Sequence, residues 1–130
     1  MEYLSNNGII HRDLSARNCL LDHNLTAKVS DFGLSKRLVD KSYYRIQSQT
    51  TLPYKWMAIE CFESRCFTTK SDVWSYGVLL WEVMSRGDKP YKDINDWDDM
   101  FLYIKCGQRL PKPGLCPQEV FDLCSQCVMN

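Results

Sequence analysis

The sequence predicts a mainly α-helical domain with one small β-hairpin near its N-terminal end. Residues 71–84 carry apolar side chains on every face of a helix, which is typical of a helix buried at the centre of a fold. Residues 19–30 instead hold a short apolar run, a polar turn and a second run in which apolar and polar side chains alternate, which predicts two paired strands. A chain of 130 residues is long enough for one domain, or part of one, with a sizeable core.

The composition points to no charged partner and no membrane. Sixteen Lys and Arg residues balance sixteen Asp and Glu residues, so we expect no binding of nucleic acid or of an anionic membrane surface. No apolar run approaches the roughly 20 residues that a membrane span needs. Residues 1–8 also lack the basic start and apolar centre of a signal peptide. We therefore expect a soluble chain.

The cysteines indicate a reducing compartment. There are seven, an odd number, and without a secretory signal they are expected to be free thiols in a cytosolic setting. Cys124 and Cys127 have the spacing of a zinc-binding pair, but a structural zinc site needs four ligands and the sequence holds no second pair of this kind. Both also fall on one face of a predicted helix, where cysteine acts as a small core side chain. We expect no zinc.

The first residues predict the end of a helix. Residues 6–8 read Asn-Asn-Gly, and glycine supplies the left-handed conformation that caps a helix. The chain thus begins inside an element, so we expect Met1 to be an internal methionine of a longer protein or a fragment boundary. Ile9 and Ile10 follow as a short buried run.

Three oxygen-bearing side chains, Asp13, Asn18 and Asp31, come next at a spacing that suits metal-assisted phosphoryl transfer. The hairpin of residues 19–30 reverses the chain, and paired strands lie about 4.8 Å apart, so Asn18 and Asp31 become neighbours. An amide oxygen and a carboxylate can share one magnesium ion, which prefers oxygen ligands and completes its shell with water and phosphates. Asp13 lies in the preceding loop, where it can accept a proton from a hydroxyl group.

A segment without apolar periodicity follows Arg37 over about fifteen residues and predicts a mobile loop. It contains Tyr43 and Tyr44. Phosphate on either tyrosine adds nearly two negative charges and can order the loop by pairing with basic side chains. The candidates for this pairing are Arg12, Lys36 and Arg37. The alternative is that two exposed tyrosines merely lie in a loop, which composition alone does not reject.

Two more helices are predicted after the buried one, whose first turn Ser71 or Asp72 can cap. The apolar residues of the first recur at helical spacing: Trp97, Phe101 and Ile104. Its start is crowded with acidic residues, namely Asp93, Asp96, Asp98 and Asp99. Acidic side chains at a helix N-terminus favour the helix dipole, so a solvated helix start explains them better than a metal site. Pro117 opens the last helix.

Three motifs carry a resemblance to a known family. Residues 11–18 fit H-R-D-L-x-x-x-N at every fixed position, residues 31–33 read D-F-G, and residues 55–60 read K-W-M-A-I-E. They resemble the C-terminal lobe of a protein tyrosine kinase, and the resemblance covers nearly the whole chain. It implies that residues 1–130 are a partial protein kinase domain, a mainly helical lobe with a small β-hairpin at the catalytic loop and with the N-terminal lobe absent. Tyr54 and Ile59 depart from the usual P-[IV]-K-W-M-A-P-E.

The resemblance implies a role for each motif residue. Catalysis falls to Asp13 and Arg17, binding of ATP and Mg²⁺ to Asn18 and Asp31, the adenine-pocket floor to Leu20, regulation to Arg12, Tyr43 and Tyr44, and structural support to His11, Phe32, Glu60 and Asp72. Asp72 is expected to hold the catalytic-loop backbone by hydrogen bonds, although helix capping explains it equally well from sequence. For Leu20 an ordinary core position stays open. Glu60 resembles a glutamate that pairs with an arginine beyond the final helix.

Tyrosine as the acceptor rests on three places. Ser15 stands where serine/threonine kinases usually carry Lys, and Arg17 and the Lys55-Trp56 pair match tyrosine kinases. The S-A-R-N order of residues 15–18 resembles receptor-type members. Other tracts resemble both the Axl and Mer group and the Met and Ron group, and the subgroup stays open.

The implied function is transfer of the γ-phosphoryl group of ATP to tyrosine hydroxyls of protein substrates. The implied partners are those substrates, phosphotyrosine-reading domains and the missing N-terminal lobe. The parent is expected to be a plasma-membrane receptor with this chain on its cytoplasmic side. The alternative is a noncatalytic kinase-like interaction module, against which the intact Asp13, Asn18 and Asp31 argue.

Overall fold

The structure is a computed structural model that describes residues 1–47 and 51–129. Within these ranges the α-helices are α1 (Glu2–Asn6), α2 (Ile59–Glu63), α3 (Thr69–Met84), α4 (Trp97–Lys105) and α5 (Gln118–Cys127). The strands are β1 (Ile9–Ile10), β2 (Cys19–Leu21), β3 (Ala27–Val29), β4 (Lys36–Arg37), β5 (Tyr44–Arg45) and β6 (Cys66–Phe67). Short 3-10 turns at Ala16–Asn18 and Tyr54–Trp56 complete the architecture. The prediction of a mainly helical fold with small β elements is confirmed.

Helix α3 forms the centre of the fold. Trp74 and Val78 are fully buried in the main apolar cluster, together with side chains from β1, α2, β6 and α4. The prediction that this helix is buried throughout is wrong at two positions, because Val73 and Val83 are 42% and 53% exposed. Apolar residues on every face therefore overstate its burial, and one side of α3 faces solvent in the described chain.

The first turn of α3 is capped differently from the prediction. Thr68 is the N-cap: its hydroxyl accepts from the backbone N–H groups of Lys70 and Ser71, at 3.1 and 3.2 Å. The Ser71 hydroxyl in turn accepts from the Thr68 N–H, at 2.9 Å, which completes a capping box. The predicted N-cap, Ser71 or Asp72, is thus wrong, and the Asp72 carboxylate is left for other partners.

Helix α5 packs closely against α3 at Gly77. A Cβ atom at this position would lie 2.6 Å from Cys127 Cβ and 3.2 Å from the Cys124 carbonyl oxygen, so glycine allows the two helices to approach. Cys124 is buried and Cys127 half-buried at this contact. Both cysteines therefore serve as packing residues on one face of α5. In the described residues no group of three or more His, Cys, Asp and Glu side chains could hold a metal ion.

The strands form three separate antiparallel pairs. Pair β2–β3 is the predicted hairpin, with Cys19 opposite Val29, although the second strand is shorter than predicted because Leu25 lies in the turn at φ +62°. Pair β1–β4 ends directly before the segment predicted to be a mobile loop, and pair β5–β6 includes Tyr44 and Arg45 from within that segment. Tyr44 thus lies in a short strand, and residues 48–50 of the segment are outside the described part.

The remaining helix ends agree with the sequence signals. Helix α1 stops at Asn7 and Gly8, which has the left-handed φ of +63°. Asp96 is the N-cap of α4 and accepts the Asp99 N–H at 2.8 Å, as expected for a solvated acidic helix start. Helix α5 begins directly after Pro117. None of the helices in the described ranges is both long and apolar enough for a bilayer crossing.

Candidate active site

One buried carboxylate binds the backbone of the loop before β2. Asp72, which is 2% exposed, accepts the backbone N–H of His11 at 2.7 Å and that of Arg12 at 3.0 Å. Arg12 has a left-handed φ of +70°, a conformation that L side chains rarely adopt. The two hydrogen bonds stabilise this strained backbone, and burial raises the pKa of Asp72 above its ordinary value although both N–H groups act to lower it.

His11 connects this loop to the segment after β3. Its Nδ1 accepts the Asp13 N–H at 3.1 Å, so its Nε2 carries the proton and donates to the Ser30 carbonyl at 2.8 Å. The Phe32 ring lies edge-on to the imidazole with centroids 4.8 Å apart. The side chain of His11 is fully buried. Histidine therefore fixes the relative position of the H-R-D and D-F-G segments.

Asp13 is oriented by its own neighbours. The guanidinium of Arg17 donates a hydrogen bond to the Asp13 carboxylate, and the side-chain amide of Asn18 donates to the Asp13 carbonyl oxygen at 2.8 Å. The Asp13 side chain is 14% exposed and that of Arg17 49%. These contacts hold the carboxylate in a defined orientation while leaving its side chain partly exposed.

Asn18 and Asp31 lie at adjacent ends of the hairpin strands. The Ser30 N–H and hydroxyl both donate to the Asn18 carbonyl oxygen, at 2.7 and 2.9 Å, which joins the two strand ends. The Asn18 amide uses its nitrogen on Asp13, so its side-chain oxygen is available for a cation. Asp31 has a φ of +57° and accepts only the Gly33 N–H among described residues, at 3.2 Å. An amide oxygen and an exposed carboxylate are hard donors that fit Mg²⁺.

Exposed apolar side chains lie close in sequence to the oxygen donors. Leu20 is 58% exposed, and Leu21 and Phe32 are also exposed. The reading of Leu20 as an ordinary core leucine is therefore wrong in this structure. An exposed apolar surface beside the oxygen donors suits a flat apolar ligand such as a nucleobase.

The predicted regulatory residues Arg12 and Tyr44 are in direct contact. The Arg12 guanidinium lies between the rings of Tyr44 and Phe67, 4.7 and 4.6 Å from their centroids. Lys36 also lies over the Tyr44 ring, with its Nζ 5.3 Å from the ring centroid. Burial lowers the pKa of Arg12. Tyr43 is more exposed, with the Arg45 guanidinium 6.0 Å from its ring centroid.

Residues 52–60, which resemble the substrate-docking segment of tyrosine kinases and are called the docking segment below, lie beside the loop of residues 11–18. The Arg17 guanidinium stacks 4.8 Å from the Trp56 ring centroid while it is bonded to Asp13. Lys55 donates from Nζ to the Tyr91 carbonyl oxygen at 2.9 Å, and burial followed by the charge of Lys89 lowers its pKa. Trp56 of the docking segment is thus in contact with the loop that carries Asp13 and Arg17.

Three residues of this segment stand out in the sequence: Glu60 for its expected partner, and Ile59 and Tyr54 as departures from the usual motif. Glu60 is half-buried in the first turn of α2, and its carboxylate has no ion-pair partner among the described residues. Ile59 begins α2 in place of the usual proline, and Tyr54 packs against the main apolar cluster. Tyr54 therefore occupies a packing position rather than an open platform surface.

Glu82 is a site residue that the sequence reasoning missed. It is 9% exposed, and its Oε2 accepts both the Ala16 N–H at 2.9 Å and the Trp56 indole N–H at 3.0 Å. A signal was present, since Glu82 is an acidic residue inside the otherwise apolar run of α3. A buried charge requires partners, so its position alone pointed to a polar contact.

These features are of the kind that phosphoryl transfer requires: a partly exposed carboxylate on an ordered loop, two hard oxygen donors at the ends of a hairpin, and exposed apolar side chains close in sequence to them. A comparison with known families agrees. Residues 1–130 match the family model of protein tyrosine and serine/threonine kinases. The chain belongs to this family of protein kinases, whose members generally use ATP and Mg²⁺ to phosphorylate proteins.

Proposed function

We propose that this chain is the C-terminal lobe part of a protein tyrosine kinase. The observation that carries the proposal is the double contact of Arg17, which is hydrogen-bonded to Asp13 and stacked on Trp56 at 4.8 Å. It joins the proton acceptor to the docking segment, so that an acceptor side chain lying on that segment meets the Asp13 carboxylate.

Each site residue has a chemical task in this proposal. The Asp13 carboxylate accepts the proton of the attacking tyrosine hydroxyl. The side-chain oxygens of Asn18 and Asp31 would hold Mg²⁺ with ATP, and Leu20 would contact the adenine ring. The bound metal supplies charge neutralisation on the phosphate oxygens, since the transition state is loose and catalysis is mostly positioning and electrostatics. Arg17 orients Asp13 and holds the docking segment against it.

The same proposal covers the setting of the chain. The cover of the nucleotide and the lysine that binds its α and β phosphates would come from an N-terminal lobe, which docks on the exposed surface around Leu20 and Phe32. The S-A-R-N order of residues 15–18 supports a receptor-type parent with this chain on the cytoplasmic side of the plasma membrane. Its phosphotyrosines would then recruit phosphotyrosine-reading domains.

The test uses the full kinase domain that carries this chain. We expect phosphorylation of a tyrosine copolymer, with serine and threonine peptides left essentially unmodified. Asp13→Asn should reduce the rate by about 10² to 10⁴. Arg17→Lys keeps the charge but loses the planar stacking group, so it should lower kcat/KM for tyrosine peptides, whereas the exposed Arg65→Lys should not. Comparable turnover of a serine peptide would contradict the proposal.

A further inference from the structure

The buried carboxylate of Glu82 is used in an unusual way. Its neighbours on α3, Trp81 and Val83, are apolar, and no Lys or Arg forms an ion pair with it in the described part of the chain. Two N–H groups from different segments meet at one of its oxygens instead, at 2.9 and 3.0 Å. Because burying a charge is costly, this arrangement requires a benefit that simple packing of an apolar side chain would not provide.

The two donors come from two different segments: the loop that carries Asp13, and the docking segment. Ala16 opens the 3-10 turn Ala16–Asn18, which comes after Asp13 in the loop, and Arg17 follows it directly. Trp56 belongs to the docking segment and carries the Arg17 guanidinium on its ring. Glu82, the loop and the indole therefore form a closed ring of contacts: Glu82 holds Ala16 and Trp56, and Arg17 bridges Trp56 and Asp13.

We propose that Glu82 is a positioning residue for the tyrosine acceptor, an inference that rests on the proposed tyrosine kinase function. Its negative charge holds the Ala16 amide and the Trp56 indole to one point and thereby fixes the stacking of Arg17 on Trp56. Glu82 touches neither nucleotide nor acceptor and acts through these two residues. A full charge is needed because hydrogen bonds to an ionised acceptor are roughly twice as strong as neutral ones.

The test compares three variants of the full kinase domain. Glu82→Gln keeps an oxygen in place and removes the charge, and Glu82→Ala removes both hydrogen bonds. Glu63→Gln is the matched control, since Glu63 is exposed and its carboxylate pairs only with Lys105, at 3.7 Å, in the part of the chain that the structure describes. The measurements are kcat and KM for a tyrosine peptide, phosphate release to water without peptide, and the thermal melting temperature.

We expect Glu82→Gln to lower kcat/KM for the peptide about tenfold, mainly through KM, and Glu82→Ala to lower it about a hundredfold, as for losing first part and then all of two charge-assisted hydrogen bonds. In both variants peptide transfer should fall by about tenfold or more relative to hydrolysis by water, because water does not use the platform. Glu63→Gln should match the wild type. The activity that Glu82→Gln retains over Glu82→Ala reports the side chain's size and its remaining oxygen. The activity that Glu82→Gln loses relative to the wild type reports the missing charge.

Trp56→Phe supplies an independent check, because it removes the indole N–H and keeps an aromatic ring. Combined with Glu82→Gln it should cost much less than the product of the two single effects, since both act on one contact. A wild type that does not phosphorylate tyrosine overturns the proposed function and this inference with it. An active wild type in which Glu82→Gln lowers peptide transfer and hydrolysis equally, or changes neither, overturns this inference alone.

Discussion

Replacing Asp72 by asparagine should loosen the catalytic loop and destabilise the fold. The two carboxylate oxygens accept one N–H each, from His11 at 2.7 Å and Arg12 at 3.0 Å, in a site that is 2% exposed. Asparagine offers one acceptor oxygen and turns an NH₂ group toward the second donor. One buried N–H then loses its partner, which costs about 1–3 kcal/mol. The left-handed backbone of Arg12, itself strained by about 1–3 kcal/mol, also loses its support.

The assay is urea unfolding of the full kinase domain together with kcat for a tyrosine peptide. We expect a loss of about 2 kcal/mol in the free energy of unfolding and a fall in kcat. Asp98→Asn is the matched control, because Asp98 is an exposed aspartate in the first turn of α4 and so shares only the helix-dipole effect of Asp72. Equal losses for the two variants would refute the reasoning, since they would reduce Asp72 to a dipole effect.

The pH dependence of the same difference has a defined sign. Burial raises the pKa of Asp72 above the ordinary 3.8, so the folded state binds this proton more tightly than the unfolded state. The carboxyl therefore contributes stability below pH 3.8 that is lost as the pH rises through the raised pKa. The stability difference between the wild type and Asp72→Asn should shrink across this window. A constant difference would show that the burial of Asp72 has no net effect on its ionisation.

Three further outcomes are expected. Replacing Tyr43 and Tyr44 together by Phe should lower the activity of the full kinase without unfolding it, because phosphate can no longer order the segment; unchanged kinetics would contradict this. Gly77→Ala should lower stability by about 1–3 kcal/mol through overpacking against α5, whereas Gly114→Ala meets open space and should be neutral. The isolated chain of 130 residues should incorporate no labelled phosphate into a tyrosine polymer, and incorporation abolished by Asp13→Asn would refute that.

The oxygen donors and the hairpin could be predicted because their signals are local. The apolar and polar pattern of residues 19–30 sets the strand pairing, and the pairing places Asn18 and Asp31 at adjacent ends. Helix α1 and its glycine stop, the acidic cap of α4 and the start of α5 follow from the same kind of short-range rule. Such rules act within one turn, and at these elements no tertiary contact overrides them.

Contacts between distant segments could not be predicted in this way. Thr68, Ser71 and Asp72 are all good N-caps, and only the tertiary demand of the His11 amide assigns Asp72 elsewhere. Glu82 meets a partner 66 residues earlier in the chain, a separation at which periodicity carries no information. Strands of two residues, such as β4, likewise have no pattern of their own.

The strand pairs β1–β4 and β5–β6 hold the segment that carries Tyr43 and Tyr44 against the rest of the fold at two places. Each joins only two residues per strand, and a backbone hydrogen bond is worth a net of about 0.5–1.5 kcal/mol. We therefore expect that opening one of these pairs costs far less free energy than unfolding α3. The pair β5–β6 is also held by Arg12, whose guanidinium contacts the rings of both Tyr44 and Phe67. The backbone amide protons of the segment that carries Tyr43 and Tyr44 should accordingly exchange with solvent long before those of α3.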